Sequence, residues 1–332
     1  MRCSRFRFLL LKGACIAAGS LFFCPAAFAA DEPPVVTFAA WNVRNYLHTV
    51  SHPVVRAPRD TKPKPPEEVA AVTEILLKLR PDILGVCEMG SREDLAALQQ
   101  RLKDAGLDLP HSEWVQAADT DRHLALLSRF PIVARQPQTR LSYLLDESKL
   151  PVQRGFLDVT LQVTADYQLR CLGAHLKSRR DVPEASEALM RRNEAHLLRQ
   201  YADSILTAAP DTNLLVYGDF NDTRDQPPVR AVAGARGADT HLTAIAAADD
   251  STQRWTYYFS DADTYSRIDF LFASKGLNPE LDDKLCRIYS GSDWFRASDH
   301  RAITAIIKPS EKKPKSRKPP AEKAAQGKQN GE

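Results

Sequence analysis

The sequence predicts an α/β fold in which two packed mixed sheets are covered by outer helices. Short apolar segments typical of strands are interspersed with a few segments of helical periodicity, which favours layered sheets and helices. Several of the strand-like segments end in a polar or charged residue. The part of the chain between its two basic ends, residues 30–307, has 278 residues, a length that suits one large α/β domain or two small ones.

The first third of this domain predicts two strands and two helices. Residues 35–41 are apolar and strand-like, and a Pro- and charge-rich loop follows over residues 51–66. Residues 67–79 carry apolar side chains at helical spacing between prolines, and residues 82–88 predict a second strand. Residues 93–103 predict another helix, which ends near a glycine. Both strands end in a polar residue.

The remainder of the domain is rich in strands and contains one long amphipathic helix. The helix is predicted over residues 183–206, where apolar side chains recur on one face. The strands are predicted at residues 124–127, 156–163, 169–175, 214–216, 268–272, 286–289 and 302–306. The sequence has no repeat of the length that builds solenoids.

The hexapeptide YGDFND at residues 217–222 is the clearest chemical motif. It follows an apolar strand, so its polar side chains fall at the carboxyl end of that strand. Asp219 and Asn221 are two residues apart, and on an extended backbone they point the same way. Their hard oxygen atoms suit a Mg²⁺-type ion and a phosphate. The alternative is a turn that these side chains cap, a common use of Asp and Asn.

Further carboxylates and histidines lie at the ends of other predicted strands. Glu88 and Asp269 are in apolar settings, where a carboxylate without a partner is costly to bury. His300 provides a partner for Asp269, and a metal ion provides one for Glu88. The alternatives are a turn before the last strand for Asp299 and a satisfied core position for His175.

In their order along the chain, these segments resemble the endonuclease/exonuclease/phosphatase superfamily, which includes DNase I-like nucleases, neutral sphingomyelinases and inositol polyphosphate 5-phosphatases. The resemblance rests on Trp41-Asn42-Val43, Cys87-Glu88-Met89, Gly173 to Ser178, Gly218 to Asn221, Ser266 to Phe270 and Ala297 to His300. It covers nearly all of the domain. It implies a DNase I-like four-layer α/β/β/α sandwich with the site at one end of the two sheets.

The resemblance also implies which residues hold the metal and the phosphate. Glu88 matches the main metal-binding carboxylate, and Asn42 and Asp299 match residues near the metal, which is Mg²⁺ or Mn²⁺. Asn42 also matches a residue close to the substrate phosphate. Asp219 and Asn221 match the pair that activates water and contacts the phosphate.

The remaining roles involve histidines and basic residues. His300 matches the catalytic histidine that Asp269 holds, and either His300 or Asp219 activates the water. His175 matches a histidine of DNase I-like and sphingomyelinase-like members, where an imidazolium would stabilise the transition state or assist the leaving group. Lys177, followed by Arg179 and Arg180, either binds the substrate phosphate or belongs to a solvated face.

Three further groups of side chains have less specific interpretations. The basic 51–66 loop overhangs the site or is a plain surface loop. One of Arg122 and His123 is expected to face the substrate. The aromatic residues Trp255, Tyr257 and Tyr258 either stack on a base or belong to the core or rim.

Both ends of the chain are predicted to lie outside the catalytic domain. Residues 1–29 combine basic residues, a short apolar stretch and Ala27-Phe28-Ala29, the pattern of a signal peptide cleaved after Ala29. We therefore expect an exported protein, periplasmic or secreted, with no transmembrane segment in the mature chain. The alternative, a membrane anchor, needs a longer apolar stretch of ~20 residues. Residues 308–332 are basic and lack large apolar side chains, which predicts a disordered tail or, alternatively, a nucleic-acid-binding arm.

Charge and cysteine content narrow the class of protein. Residues 30–307 contain 33 basic and 39 acidic residues, a balance that does not favour broad binding of nucleic acid. The odd number of cysteines outside the signal segment, Cys87, Cys171 and Cys286, predicts buried thiols instead of a disulfide framework.

The predicted function is an exported, Mg²⁺- or Mn²⁺-dependent phosphodiesterase, a DNase I-like nuclease that acts on nucleic acid as a monomer. The alternative enzyme is a phospholipid or inositol-phosphate phosphoesterase on the same fold, which the acidic domain favours. The remaining alternative is a catalytically silent binding module, although no site group is missing from the sequence.

Overall fold

The structure is a computed structural model, which describes residues 35–47 and 63–310. The predicted signal peptide, most of the 51–66 loop and all but the first three residues of the predicted tail lie outside these ranges. Within the described residues, no helix is long and apolar enough to cross a membrane.

The first sheet has six strands, which are numbered here in chain order. Across the sheet they are β15 (Arg287–Ile288), β16 (Ile303–Ile307), β1 (Val36–Tyr46), β2 (Ile83–Met89), β4 (His123–Ser128) and β3 (His111–Val115). Strands β1 and β2 are parallel, with Asn42 beside Cys87, and the other neighbours are antiparallel. The polar residues at the carboxyl ends of β1 and β2 therefore meet at one edge.

The second sheet also has six strands. Across the sheet they are β11 (Thr243–Ala244), β14 (Asp269–Ala273), β10 (Leu214–Asp219), β9 (Tyr167–His175), β8 (Phe156–Thr164) and β5 (Ile132–Arg135). The parallel pair β9 and β10 places His175 beside Asp219, and the antiparallel pair β10 and β14 places Asp269 on the other side of Asp219. Three polar residues thus share one end of this sheet.

Helices cover the outer face of each sheet. They are α1 (Pro66–Leu79), α2 (Arg92–Asp104), α3 (Glu187–Ala208), α4 (Pro227–Ala233) and α5 (Trp294–Ala297), and a 3₁₀ turn spans Asn278–Glu280. Apolar residues of α1 and α2 pack on the first sheet, and those of α3 and α4 pack on the second. A third apolar cluster fills the space between the sheets. The predicted four-layer α/β/β/α sandwich is confirmed.

Tyr217 lies in the layer between the sheets and requires glycine on both sides. A Cβ atom on Gly85 of the first sheet would lie 2.2 Å from the Tyr217 ring, and one on Gly173 would lie 2.7 Å from it. The ring also meets Phe38 edge-to-face at 5.1 Å between centroids. The two sheets therefore approach closely just below the strand ends.

Two small hairpins complete the fold. One joins β6 (Ser142–Leu145) to β7 (Ser148–Pro151), and the other joins β12 (Tyr257–Phe259) to β13 (Thr264–Ser266). Cys87, Cys171 and Cys286 are buried free thiols.

Candidate active site

The predicted site residues converge where the strands of both sheets end. Asn42 and Glu88 come from the first sheet, and His175, Asp219 and Asp269 come from the second. The 298–300 segment joins them because Ser298 Oγ donates to the Asn42 carbonyl at 2.8 Å and the indole of Trp41 donates to the His300 carbonyl at 2.9 Å. Residues far apart in the chain therefore form one site.

Asn42 links the two sheets. Its Nδ2 donates to Glu88 Oε1 at 3.2 Å and to Asp219 Oδ2 at 3.1 Å, while its Oδ1 accepts from the Arg44 backbone amide at 3.0 Å. Asn42 is 2% exposed. A neutral amide can stand between two carboxylates without adding charge, which fits its position.

Glu88 has an unusual backbone conformation. Its φ is 61°, in the left-handed region, which costs a non-glycine residue roughly 1–3 kcal/mol. Its carboxylate accepts from the Asn45 backbone amide at 2.9 Å, and Arg122 Nε lies 4.0 Å away. Burial alone would raise the pKa of Glu88, but the charges of His175, when protonated, and of Arg122 lower it to about 2. Glu88 is therefore ionised over the physiological range.

His300 and Asp269 form a close pair. His300 Nδ1 donates to Asp269 Oδ2 at 2.8 Å, and His300 Nε2 lies 3.8 Å from Asp219 Oδ2 and 4.0 Å from Asp299 Oδ1. Burial alone would lower the pKa of His300, but the charges of Asp269, Asp219 and Asp299 and the hydrogen bond to Asp269 raise it to about 10. The arrangement holds an imidazolium with Nε2 directed toward the site.

Asp219 and Asn221 behave differently from one another. Asp219 Oδ1 accepts from the Asn221 amide at 2.8 Å, and burial, with the charge of Asp269, raises the pKa of Asp219 to about 7. Asn221 has a φ of 52°, and its Nδ2 donates to the Leu176 carbonyl at 2.9 Å. One amide proton of Asn221 thus fixes the loop after His175. A contact between Asn221 and the substrate phosphate stays a prediction.

His175 is buried between the carboxylates of Asp219 and Glu88. Its Nε2 is 3.6 Å from Asp219 Oδ2 and 4.0 Å from Glu88 Oε1, and its Nδ1 has no hydrogen-bond partner among the described residues. Burial, with the charge of Arg154, lowers the pKa of His175 to about 3. The ring is therefore neutral near pH 7 in this structure, which differs from the imidazolium expected from the sequence.

Asp299 and Lys177 occupy the margins of the site. Asp299 is partly exposed, and its Oδ2 lies 3.7 Å from Arg44 Nε. Lys177 Nζ donates to the carbonyls of Ser178 and Arg180 at 3.0 and 2.7 Å, so its ammonium is used by its own loop. The contact of Lys177 with the substrate phosphate stays a prediction.

The predictions for Arg122 and His123 have different outcomes. Arg122 Nε donates to Asn45 Oδ1 at 2.8 Å, which places Arg122 beside Glu88 at the site. His123 is buried, and its Nδ1 lies 2.9 Å from the Gly90 carbonyl while its ring packs on Trp114. Of the two, Arg122 lies on the side of the site.

Sequence reasoning missed two charged residues beneath the site. Arg154 Nε forms an ion pair with Asp119 Oδ2 at 3.2 Å, and its buried Nη1 has no hydrogen-bond acceptor among the described residues. Glu194 of α3 is fully buried and accepts from the Lys177 backbone amide at 2.6 Å. Arg154 precedes a glycine in a polar connection and Glu194 lies on the buried face of a helix, so no strand-end pattern marks them.

Residues 39–300 match the Endonuclease/Exonuclease/phosphatase family. The chain belongs to this family. Its fold is similar to the human Nocturnin catalytic domain with a bound sulfate anion (18% identity, TM-score 0.56), truncated Caenorhabditis elegans TDP2 (17%, 0.55) and sphingomyelinase C from Streptomyces griseocarneus (14%, 0.54). These matches cover 84%, 82% and 82% of this chain and 96%, 97% and 99% of those chains. No curated protein matches the sequence.

The family relationship suggested by the strand-end motifs is thus confirmed, and the donor atoms can be tested against a divalent cation. All of the acidic donors are hard carboxylate oxygens, the type that Mg²⁺ prefers. The ion pairs of Glu88 with Arg122 and of Asp299 with Arg44 are long, at 4.0 and 3.7 Å, so both carboxylates keep lone pairs for a cation. The donor set fits such an ion.

A second acidic group lies deeper in the site. Donor atoms of Asp219, Asp269 and His300 lie within 4.8 Å of one another. His300 Nδ1 and Asp269 are already joined by their 2.8 Å hydrogen bond, however, so this group is better suited to hold a proton than a metal. The site therefore divides into a cation side at Glu88 and a proton-transfer side at His300.

Proposed function

We propose that this member of the Endonuclease/Exonuclease/phosphatase family is an exported, divalent-metal-dependent phosphodiesterase that hydrolyses nucleic acid. The observation that supports it is the junction of Glu88 and Asp219 through Asn42, with the His300–Asp269 pair beside them. This arrangement offers a cation site, a proton-transfer pair and neutral donors within one site.

The residues have complementary roles in phosphodiester hydrolysis. Glu88, with Asn42 and Asp299, would hold Mg²⁺ or Mn²⁺, which neutralises charge that develops on the phosphate oxygens. Asn42, whose amide nitrogen donates to Glu88 and Asp219, holds these two carboxylates in place beside the phosphate. The His300–Asp269 pair holds a proton at Nε2, where it can stabilise a phosphate oxygen or protonate the leaving oxygen.

Asp219 and His175 act on the attacking water in this proposal. Asp219 is close to His300 Nε2 and can accept a proton from the attacking water. His175, neutral and 3.6 Å from Asp219, can donate or accept one hydrogen bond to orient that water. Asn221 keeps Asp219 in place through its backbone amide.

Cleavage of plasmid and single-stranded DNA with Mg²⁺ or Mn²⁺ tests the proposal. Wild-type protein should cleave, whereas His300→Ala and Glu88→Ala should lose ~10²–10⁴-fold in kcat, the range typical of removing one group that transfers a proton or stabilises charge. Asp108→Ala, an exposed carboxylate away from the site, is the matched control and should retain full activity. Equal cleavage by all four proteins would show that these residues are not the site.

A phospholipid or inositol-phosphate phosphoesterase is the second candidate. The similarity to a sphingomyelinase C and the acidic balance of residues 30–307 favour it. A panel of sphingomyelin, inositol phosphates and nucleic acids separates the two candidates. Turnover of lipid alone would replace the nuclease assignment.

A catalytically silent binding module is the remaining candidate, and metal binding tests it. Calorimetry with Mg²⁺ or Mn²⁺ should detect binding to wild-type protein and weaker binding to Glu88→Ala. If neither protein binds the ion, the metal-dependent mechanism is excluded.

Export through residues 1–29 is proposed from the sequence pattern alone. The mature protein isolated from the periplasm or medium should begin at Ala30, as read by N-terminal sequencing. Full-length protein retained inside the cell would contradict this.

A further inference from the structure

The hairpin formed by β12 and β13 stands directly beside the catalytic histidine. The backbone amide of Tyr258 donates to the Asp299 carbonyl at 3.0 Å, and the amide of Arg301 donates to the Thr256 carbonyl at 2.7 Å. These bonds pair Tyr257 with His300 in an antiparallel bridge. The position of the hairpin relative to His300 is therefore set by backbone hydrogen bonds.

The two faces of this hairpin carry different aromatic residues. Tyr258 pairs with Tyr265 across the strands, whereas Tyr257 and Phe259 alternate onto the opposite face. The Tyr257 ring packs on the His300 ring at 4.7 Å between centroids, and Phe259 lies nearly parallel to Tyr257 at 6.4 Å and 19°. One face thus continues the catalytic site outward as a row of rings.

The other face supports the hairpin. Tyr258 stacks on Tyr265 at 4.6 Å, and Trp255 contacts both Tyr265 and Trp294 at 4.7 and 5.2 Å. Tyr258 Oη also donates to Asp263 Oδ1 in the turn at 2.9 Å. Trp255 and Tyr258, two of the three base-stacking candidates from the sequence, are therefore already in contact with other side chains. These contacts hold the hairpin in place.

Phe259 is the solvent-accessible residue on the hairpin face that it shares with Tyr257. It is 43% exposed, although it is a large apolar side chain beside a polar site. A flat aromatic ring next to a phosphodiester site provides a stacking surface for any nucleobase, because every base has a π-face. The turn of the hairpin carries Asp261 and Asp263, whose negative charges oppose docking on an anionic bilayer.

We propose that Tyr257 and Phe259 form a stacking subsite for an unpaired nucleobase next to the scissile phosphate, so that the preferred substrate is single-stranded nucleic acid. The inference rests on the proposed nuclease function and deepens it. Bases within a duplex are already stacked on one another, so they can stack on Tyr257 and Phe259 only after unpairing. Single strands offer the base without that cost.

The test compares an oligonucleotide with one that lacks a base at the cleaved linkage. Phe259→Ala should lower kcat/KM on the intact single strand by ~5–150-fold, the range for losing one stacked base. It should have little effect on the abasic substrate, which wild-type protein should also cleave more slowly. Phe259→Leu, which keeps apolar bulk without a ring, should lie between wild type and alanine. Phe295→Ala, which removes a 63% exposed ring of α5, is the matched control and should match wild type.

Binding gives a second readout that does not require turnover. A single strand with 2-aminopurine at the same position, mixed with protein in EDTA, should lose fluorescence on wild-type protein and not on Phe259→Ala. Equal effects of Phe259→Ala on the intact and abasic substrates would overturn the inference. A second outcome would also overturn it: Phe259→Ala and Phe295→Ala both lose binding to sphingomyelin–phosphatidylcholine vesicles, while their cleavage of oligonucleotides is unchanged. The aromatic surface would then dock on membranes.

The two readouts also separate this inference from the proposed function. Wild-type protein that cleaves single strands without any dependence on Phe259 contradicts the subsite alone. Wild-type protein that quenches 2-aminopurine without cleaving any nucleic acid contradicts the nuclease and supports the subsite. If wild-type protein neither cleaves nucleic acid nor quenches 2-aminopurine, both the nuclease function and the stacking subsite are contradicted.

Discussion

The His300–Asp269 pair controls the charge of the residue nearest to the proposed leaving group. Asp269→Asn should remove much of the electrostatic support that holds the pKa of His300 near 10, and this pKa should fall toward the ordinary value of about 6.5. We expect kcat to drop ~10²–10⁴-fold. Steady-state kinetics and an NMR titration of the His300 ring check the two effects.

The control for this change keeps the same chemistry at a remote site. Asp108→Asn alters a carboxylate that is 55% exposed, so neither kcat nor the His300 pKa should change. An unchanged His300 pKa in Asp269→Asn would contradict the role of the pair, whatever its activity.

Arg154 is the second residue with a testable role. Its Nε is paired with Asp119 Oδ2 at 3.2 Å, whereas its buried Nη1 has no acceptor among the described residues, and a buried donor of this kind favours an anion. Arg154→Met should raise the Kd for inorganic phosphate ~10-fold or more, since hydrogen bonds to charged groups contribute about 1.5–3 kcal/mol. Arg154→Lys should give an intermediate Kd because it keeps the charge without the planar fork. Calorimetry that gives the same Kd for all three proteins would exclude phosphate binding by Arg154.

At this scale the sequence predicted the residues that end strands and missed those that do not. Asn42, Glu88 and Asp219 follow apolar runs, so their polarity is conspicuous, and the structure joins them through the Asn42 amide. Arg154 lies between Gln153 and Gly155 in a polar connection, where an arginine is unremarkable. Its proximity to His175 comes from long-range packing, which local pattern does not encode.

At the scale of elements, the close approach of the two sheets gives a stability prediction. Gly85→Ala would place a Cβ atom 2.2 Å from the Tyr217 ring, so the ring or the strand must move. We expect a loss of ~1–3 kcal/mol in the free energy of unfolding, the usual cost of overpacking a core. Urea unfolding followed by circular dichroism measures it.

A double variant provides the control. Tyr217→Leu removes the ring, so adding it to Gly85→Ala should cost less than the sum of the two single changes. Strict additivity of the three free energies would mean that the methyl group and the ring do not meet.

The elements differed in how well local pattern predicted them. Central strands such as Ile83–Met89 are buried and largely apolar, and the prediction over residues 82–88 lies within one residue of this strand at each end. The edge strands His111–Val115 and Ile132–Arg135 were missed, since they are short and half-exposed and carry charged side chains. The long helix begins at Glu187 instead of residue 183, because Val182 and Ala185 pair in a bridge before it.

At the scale of the whole molecule, the parallel pairs decide where the site forms. Local pattern predicted that strands exist, but it carried no information on which strands are neighbours. The pairs β1–β2 and β9–β10 each bring two carboxyl ends together, and the packing of the sheets brings these two edges together. The pattern of strands and helices predicted two packed sheets with outer helices, and the family resemblance placed the site at one end of them.

Stability of the whole domain should depend on pH through Glu194, which is buried beneath the site. Burial raises its pKa from 4.5 to about 7, despite the opposing charge of Arg154 and the hydrogen bond from the Lys177 amide. A raised carboxyl pKa means that the native state retains the proton longer than the unfolded state does. Its contribution to stability is therefore complete below about pH 4.5 and is lost as the pH rises through 7.

Glu194→Gln isolates this effect, because other groups titrate equally in both proteins. Between pH 4 and pH 8, wild-type protein should lose about 3 kcal/mol of unfolding free energy relative to the variant, as each unit of pKa shift corresponds to about 1.4 kcal/mol. Glu88, His175, His300 and Asp219 also make stability depend on pH, because their native pKa values of about 2, 3, 10 and 7 differ from the ordinary ones, but these contributions are common to both proteins. Urea midpoints at the two pH values measure the difference. A constant difference between the proteins would mean that Glu194 has the same pKa in the native and unfolded states, so that Arg154 and the Lys177 amide offset the effect of burial.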